Sequence, residues 1–135
     1  MIKFFAGTFI ILHGLVHLWY VTLSQRWVAF QAEMGWTGKS WLFTNLLGDP
    51  TTRTLASVVY TLAALGFVAG GIGIYLQQEW LRPVLIGSAV FSSALIILFW
   101  DGSGEMLVQK GLLGLLINLA ILTALLVFRL PTPSA

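Results

Sequence analysis

Cysteine is absent from the 135-residue chain. Disulfides, thiolate nucleophiles, Cys-ligated zinc and iron–sulfur clusters are excluded together, while the redox compartment is left open. Charge is nearly as scarce. Asp, Glu, Lys and Arg make up 9% of the residues, against about 25% in a soluble domain. Too few charged side chains remain to cover a water-facing surface. There is no Lys/Arg cluster and no nucleic-acid motif, so the net charge of +2 does not point to nucleic acid. The basic residues are single and lie mostly near predicted helix ends, where they serve as membrane-flank anchors.

What is present is apolar: 58% of residues are hydrophobic and the mean hydropathy is +0.90. The uncharged stretches are 4–25, 54–78, 83–100 and 111–128. Each is within the range of about 17–25 residues that a spanning helix needs. None shows the period-two alternation of a membrane β-barrel. Helices satisfy their backbone groups internally, as hydrocarbon demands. The chain therefore reads as an all-α integral membrane protein, a single domain over 1–135. Its four spanning helices are placed at about 3–24, 50–77, 83–100 and 105–129, with an interfacial loop over 26–48.

The ends carry punctuation. Asp49 is expected to cap the second span, with Pro50 at its first helical position. Pro83 opens the third, and Asp101-Gly-Ser-Gly104 separates it from the fourth, which stops before Pro131. The first span is too long for a signal-peptide core and has no A-x-A site after it, so it reads as retained. Four spans put both termini on one side. That side carries Lys3, Arg82 and Arg129, and the other Arg26, Lys39, Arg53 and Lys110, so the basic count does not set the orientation.

The first loop is not an ordinary polar loop. Trp27, Phe30 and Met34 recur at helical spacing, and Ser24 is placed to cap a short helix there. Such an aromatic segment either lies in the interface or folds over the bundle mouth as a lid, with Trp27, Trp36 and Trp41 as lid residues. Gly66-x-x-x-Gly70 is a small-xxx-small pattern, suited to close packing within the bundle or between subunits.

No acidic or basic residue falls in the centre of any span. Carboxylate-driven transport is disfavoured for that reason. What remains there is His13 and His17, one turn apart on one helical face. At about 1.5 Å per residue from the loop end, His13 lies about 16 Å deep. Asn118 and Ser88 come out at about 18 Å. His17 lies at about 10 Å, near the level of Tyr60, Thr61 and Ser92. These polar groups are expected to point inward, because lipid-facing His and Asn are disfavoured.

Three readings of this layer compete. It is a packing network of interhelical hydrogen bonds. Or it is a binding site in which His13, His17, Tyr60, Ser88, Ser92 and Asn118 meet the head of a quinone or lipid while apolar walls hold the tail. Or it ligates metal or haem through His13 and His17, for which zinc would need further ligands and haem a histidine from a partner chain. No activated nucleophile, carboxylate pair, phosphate loop or complete metal set marks an enzyme. The alternative to a ligand binder is a non-catalytic subunit of a larger membrane complex. Membrane lipid, a homo-oligomer or such a complex are the expected partners.

The segments Leu12-His13-Gly14-Leu15-Val16-His17-Leu18, Thr37-Gly38-Lys39-Ser40-Trp41-Leu42, Gly66-Phe67-Val68-Ala69-Gly70 and Leu98-Phe99-Trp100 resemble a group of small bacterial membrane proteins, broadly similar to the DoxX-like class. The resemblance implies a four-helix architecture and a bacterial inner membrane. DoxX-like proteins are linked in some cases to thiosulfate- or quinone-related redox complexes. DoxX-like first helices have a Gly followed by a basic residue where this chain has Gly14 and then His17. Only architecture and origin are therefore carried over.

Overall fold

The computed structural model describes residues 1–129. The described chain is all-helical. Its elements are α1 (Ile2–Ser24), a 3₁₀ turn (Ala32–Met34), the short α2 (Phe43–Leu47), α3 (Asp49–Leu76), α4 (Leu81–Leu98), a π-helical turn (Val108–Leu112) and α5 (Leu113–Leu126). Four helices are long and apolar enough to cross a membrane: α1, α3, α4, and α5 together with its π turn. The last begins three residues later than expected and ends at Leu126; Pro131 lies outside the described residues.

The four long helices form a bundle in which successive helices pack closely, while α1 meets α4 and α5 through side chains. α1 packs on α3, α3 on α4, and α4 on α5. The α1–α3 seam is close because a glycine faces backbone. A Cβ on Gly14 would sit 2.7 Å from Phe67 Cβ and 3.1 Å from the Ala64 carbonyl. Gly66 and Gly70 face the other way, against Ser88 and Leu85 of α4. The small-xxx-small pattern is thus used inside the bundle.

The helix starts differ from expectation at the second and third spans: α4 begins at Leu81, two residues before Pro83, which lies inside it. Asp49 is the first residue of α3 and does not cap it. Its Oδ2 instead pairs with Arg26 and Arg53, each at 2.9 Å. Arg53 also donates to the Leu23 and Thr37 carbonyls, so one guanidinium ties the end of α1, the first loop and the start of α3 together. Beyond the third span, Lys110 pairs with Asp101 at 2.9 Å, both side chains largely buried.

The first loop closes one end of the bundle by a specific mechanism. A helix leaves its last four carbonyls without partners. At the end of α4 the loop supplies them. The Trp41 indole donates to Ile97 O at 2.9 Å, Ser40 Oγ to Leu98 O at 2.6 Å, and the Trp36 indole to Phe99 O at 2.8 Å. The Trp41 amide donates to Trp100 O at 2.7 Å. Trp36 is 1% exposed and lies edge-on to Tyr20 and Tyr60 in an aromatic cluster that includes Phe99.

The expected short helix over Trp27–Met34 reduces to the single 3₁₀ turn, and Ser24 does not cap it. Ser24 lies inside the last turn of α1, where its hydroxyl donates back to Tyr20 O. Trp27 stays exposed.

Candidate functional site

His13 and His17 both point into the bundle, as the four-residue spacing implies. His17 Nδ1 lies 3.1 Å from His13 O and 3.2 Å from Gly14 O. Carbonyls only accept, so Nδ1 carries a proton and donates. In a neutral imidazole Nε2 is then an acceptor. Ser92 Oγ, 2.6 Å away, donates to it. With its proton committed, Ser92 Oγ accepts from Asn118 Nδ2 at 2.9 Å, as Ser93 Oγ does at 3.2 Å. Ser93 donates its own proton to Ala89 O. The remaining amide atom, Asn118 Oδ1, accepts from His13 Nε2 at 2.9 Å.

Two backbone carbonyls on α1 thereby set the direction of every bond in the network. Turning the amide over would draw both serine protons to Oδ1 and leave Ser92 and His17 without one to share. Three helices contribute polar groups: α1, α4 and α5. From α3 come aromatic faces, with the Phe67 ring 4.8 Å from His13 and 5.3 Å from His17.

The sequence places four of its six ligand candidates in this network: His13, His17, Ser92 and Asn118. Ser88 lies elsewhere. It donates to Val84 O within its own helix and packs on Gly66. Depth alone does not tell which side of α4 a residue faces, and Ser88 faces α3. Tyr60 neighbours His17 at 6.2 Å between ring centroids without bonding to it; its ring stacks on Tyr20. Thr61 bonds to Ser57 O in its own helix. Ser93 was missed, because neighbouring positions on a helix point about 100° apart; Asn118 reaches both from between.

Beside the network is a groove of about 430 Å³. It separates α1 from α5, which do not pack along their length. His13, His17 and Tyr20 line one side and Gly111, Gly114 and Ile117 the other, with Ile96 of α4 behind. Exposed Val16, Trp19 and Leu113 form its lips, so it opens at the side of the bundle. The loop residues that reach it are Glu33 and Met34, with Gln109; Trp27, Trp36 and Trp41 do not line it.

The π turn shapes the upper wall. Gly111 has φ +114°, and a Cβ there would meet Ile96 at 2.7 Å and the Tyr20 hydroxyl at 3.1 Å. Only glycine tolerates both conditions.

Tyr20 belongs to this face and was not picked out from the sequence. Its position seven residues after His13 is the signal that marks it, since residues i, i+4 and i+7 share a helical face. Among the described residues, no three His, Cys, Asp or Glu side chains come together to hold a metal ion. No protein-family model, curated protein or solved structure matches the chain, so the site stands on its own geometry.

Proposed function

We propose that this chain is a multi-pass protein of a bacterial inner membrane that holds a lipophilic ligand, a quinone or a lipid, in the groove between α1 and α5, without catalysing a reaction. The observation that carries the reading is the groove itself. Its volume of about 430 Å³ falls within the range of about 300–1,000 Å³ usual for small-molecule sites, which are apolar with a few placed polar groups. Its apolar walls suit a tail, and the histidine face suits a head. A side opening suits a ligand that arrives from the bilayer.

Native mass spectrometry from mild detergent tests this. The expected result is a bound species with the mass of a quinone or lipid, lost when the groove is filled by Ile117→Trp. A chain that retains no such species, and takes none up on addition, defeats the reading.

A second reading has its own support. The His–Ser–Asn network closes on itself, as interhelical glue does in membranes. On that reading the chain is an accessory subunit. Larger partners would then accompany it in the same experiment, and His13→Leu with His17→Leu would release them.

A further inference from the structure

The groove is bordered by two polar groups that the network leaves over. His13 Nε2 donates to Asn118, so Nδ1 is the acceptor nitrogen of that ring. It has no hydrogen-bond partner among the described residues, although His13 is 7% exposed and lines the groove. The Tyr20 hydroxyl also has no partner among the described residues, and Tyr20 is 8% exposed and lines the same groove. The two groups differ in kind. A phenol both donates and accepts, whereas this imidazole nitrogen only accepts. They are seven residues apart on one helix, or about 10 Å along its axis. Two hydrogen bonds of about 2.8 Å fit into that distance with roughly 5 Å to spare.

We propose that the ligand of this groove is an amphiphile whose head presents a hydroxyl donor to His13 and a second oxygen, several ångströms away, to Tyr20. The inference rests on the ligand-binding reading above and narrows it. A carbonyl aimed at His13 Nδ1 sets lone pair against lone pair, while a hydroxyl completes the ring's bonding. A hydroquinone therefore fits better than its quinone. Among lipids, a diacylglycerol fits better than a triacylglycerol, because it keeps a free hydroxyl beside its ester oxygens. The Asn118–Ser92–His17 chain takes part indirectly, by holding the His13 proton on Nε2.

The experiment is a binding series on the full chain in nanodiscs, using a short-tailed hydroquinone, its quinone, a dioctanoylglycerol and the matching triacylglycerol. One lost hydrogen bond at an otherwise paired buried group corresponds to about tenfold in affinity. The hydroxylated member of at least one pair is expected to bind about tenfold more tightly than its counterpart. Which pair shows the difference identifies the source. Tyr20→Phe, which keeps the stack on Tyr60, is expected to weaken both members of that pair and preserve their ratio.

¹⁵N spectra of histidine-labelled protein give an independent readout. His13 is expected to carry its proton on Nε2, and its Nδ1 resonance is expected to move when the hydroxylated ligand binds. Equal binding within both pairs, or a His13 proton found on Nδ1, overturns the donor requirement and leaves the groove reading intact. If no member of the series binds, both fall.

Discussion

His13 Nε2 and Asn118 Oδ1 are 2.9 Å apart, although 105 residues separate them in the chain. This bond joins α1 to α5 beside the groove that lies between them. Asn118 also holds Ser92 and Ser93 of α4. Asn118→Leu should therefore remove three interhelical bonds. Such bonds average about 0.6 kcal/mol in membranes, so a loss of about 2 kcal/mol is expected. Unfolding by denaturing detergent measures it, and an unchanged midpoint would show the network to be idle.

The His17–Ser92 bond can be isolated from its surroundings. A double-mutant cycle with His17→Phe and Ser92→Ala should give a coupling of about 0.6 kcal/mol, and below about 1.7. A coupling of zero would contradict the proton assignment, in which Ser92 donates to His17.

Gly14 and Gly87 are both glycines within long helices, yet they should respond in opposite senses. A side chain at Gly14 has no room against Phe67 and the Ala64 backbone, whereas nothing lies within 4 Å of a Cβ at Gly87. Gly14→Val is expected to part α1 from α3 and lower the melting temperature sharply. Gly87→Ala is expected to be neutral or to stabilise by up to about 1 kcal/mol through helix propensity. Thermal unfolding of the two variants side by side checks the contrast.

Trp36→Phe keeps the ring among Tyr20 and Tyr60 but removes the indole N–H. The Phe99 carbonyl at the end of α4 then loses its partner. A buried acceptor left alone costs about 1–3 kcal/mol. Limited proteolysis should show the first loop cut faster in the variant, and equal cutting would mean that the indole does not hold the loop down.

Lys110→Met leaves the Asp101 carboxylate without its partner at a site where both side chains are largely buried. A loss of about 3–5 kcal/mol is expected, with much of it recovered in Lys110→Met/Asp101→Leu. If the double variant is no more stable than the single one, the charge is not the cause.

The long helices and their order were legible in the residues alone. Apolar runs of spanning length and scarce charge leave few other ways to satisfy a backbone. The four-residue spacing of His13 and His17 likewise put both on one face. Ser88 shows where such reasoning stops. Position along a helix can be counted, but the direction faced depends on which neighbours the helix has, and Ser88 turns toward Gly66 of α3. The loop tryptophans show the same limit. The spacing of Trp27, Phe30 and Met34 suggested a short helix there, whereas the carbonyls at the end of α4, more than 50 residues away, draw Trp36 and Trp41 into capping bonds.

By itself, then, the sequence determined that four helices form, where they run and that a polar layer lies among them, because length, hydropathy and periodicity are local properties. Only the tertiary structure decided that α1 and α5 meet through His13 and Asn118 with a groove beside that bond. Only it set the direction of each hydrogen bond across three helices and left His13 Nδ1 and the Tyr20 hydroxyl without a partner among the described residues beside the groove. Those outcomes depend on contacts between distant segments, and no local pattern encodes which atom is left without a partner.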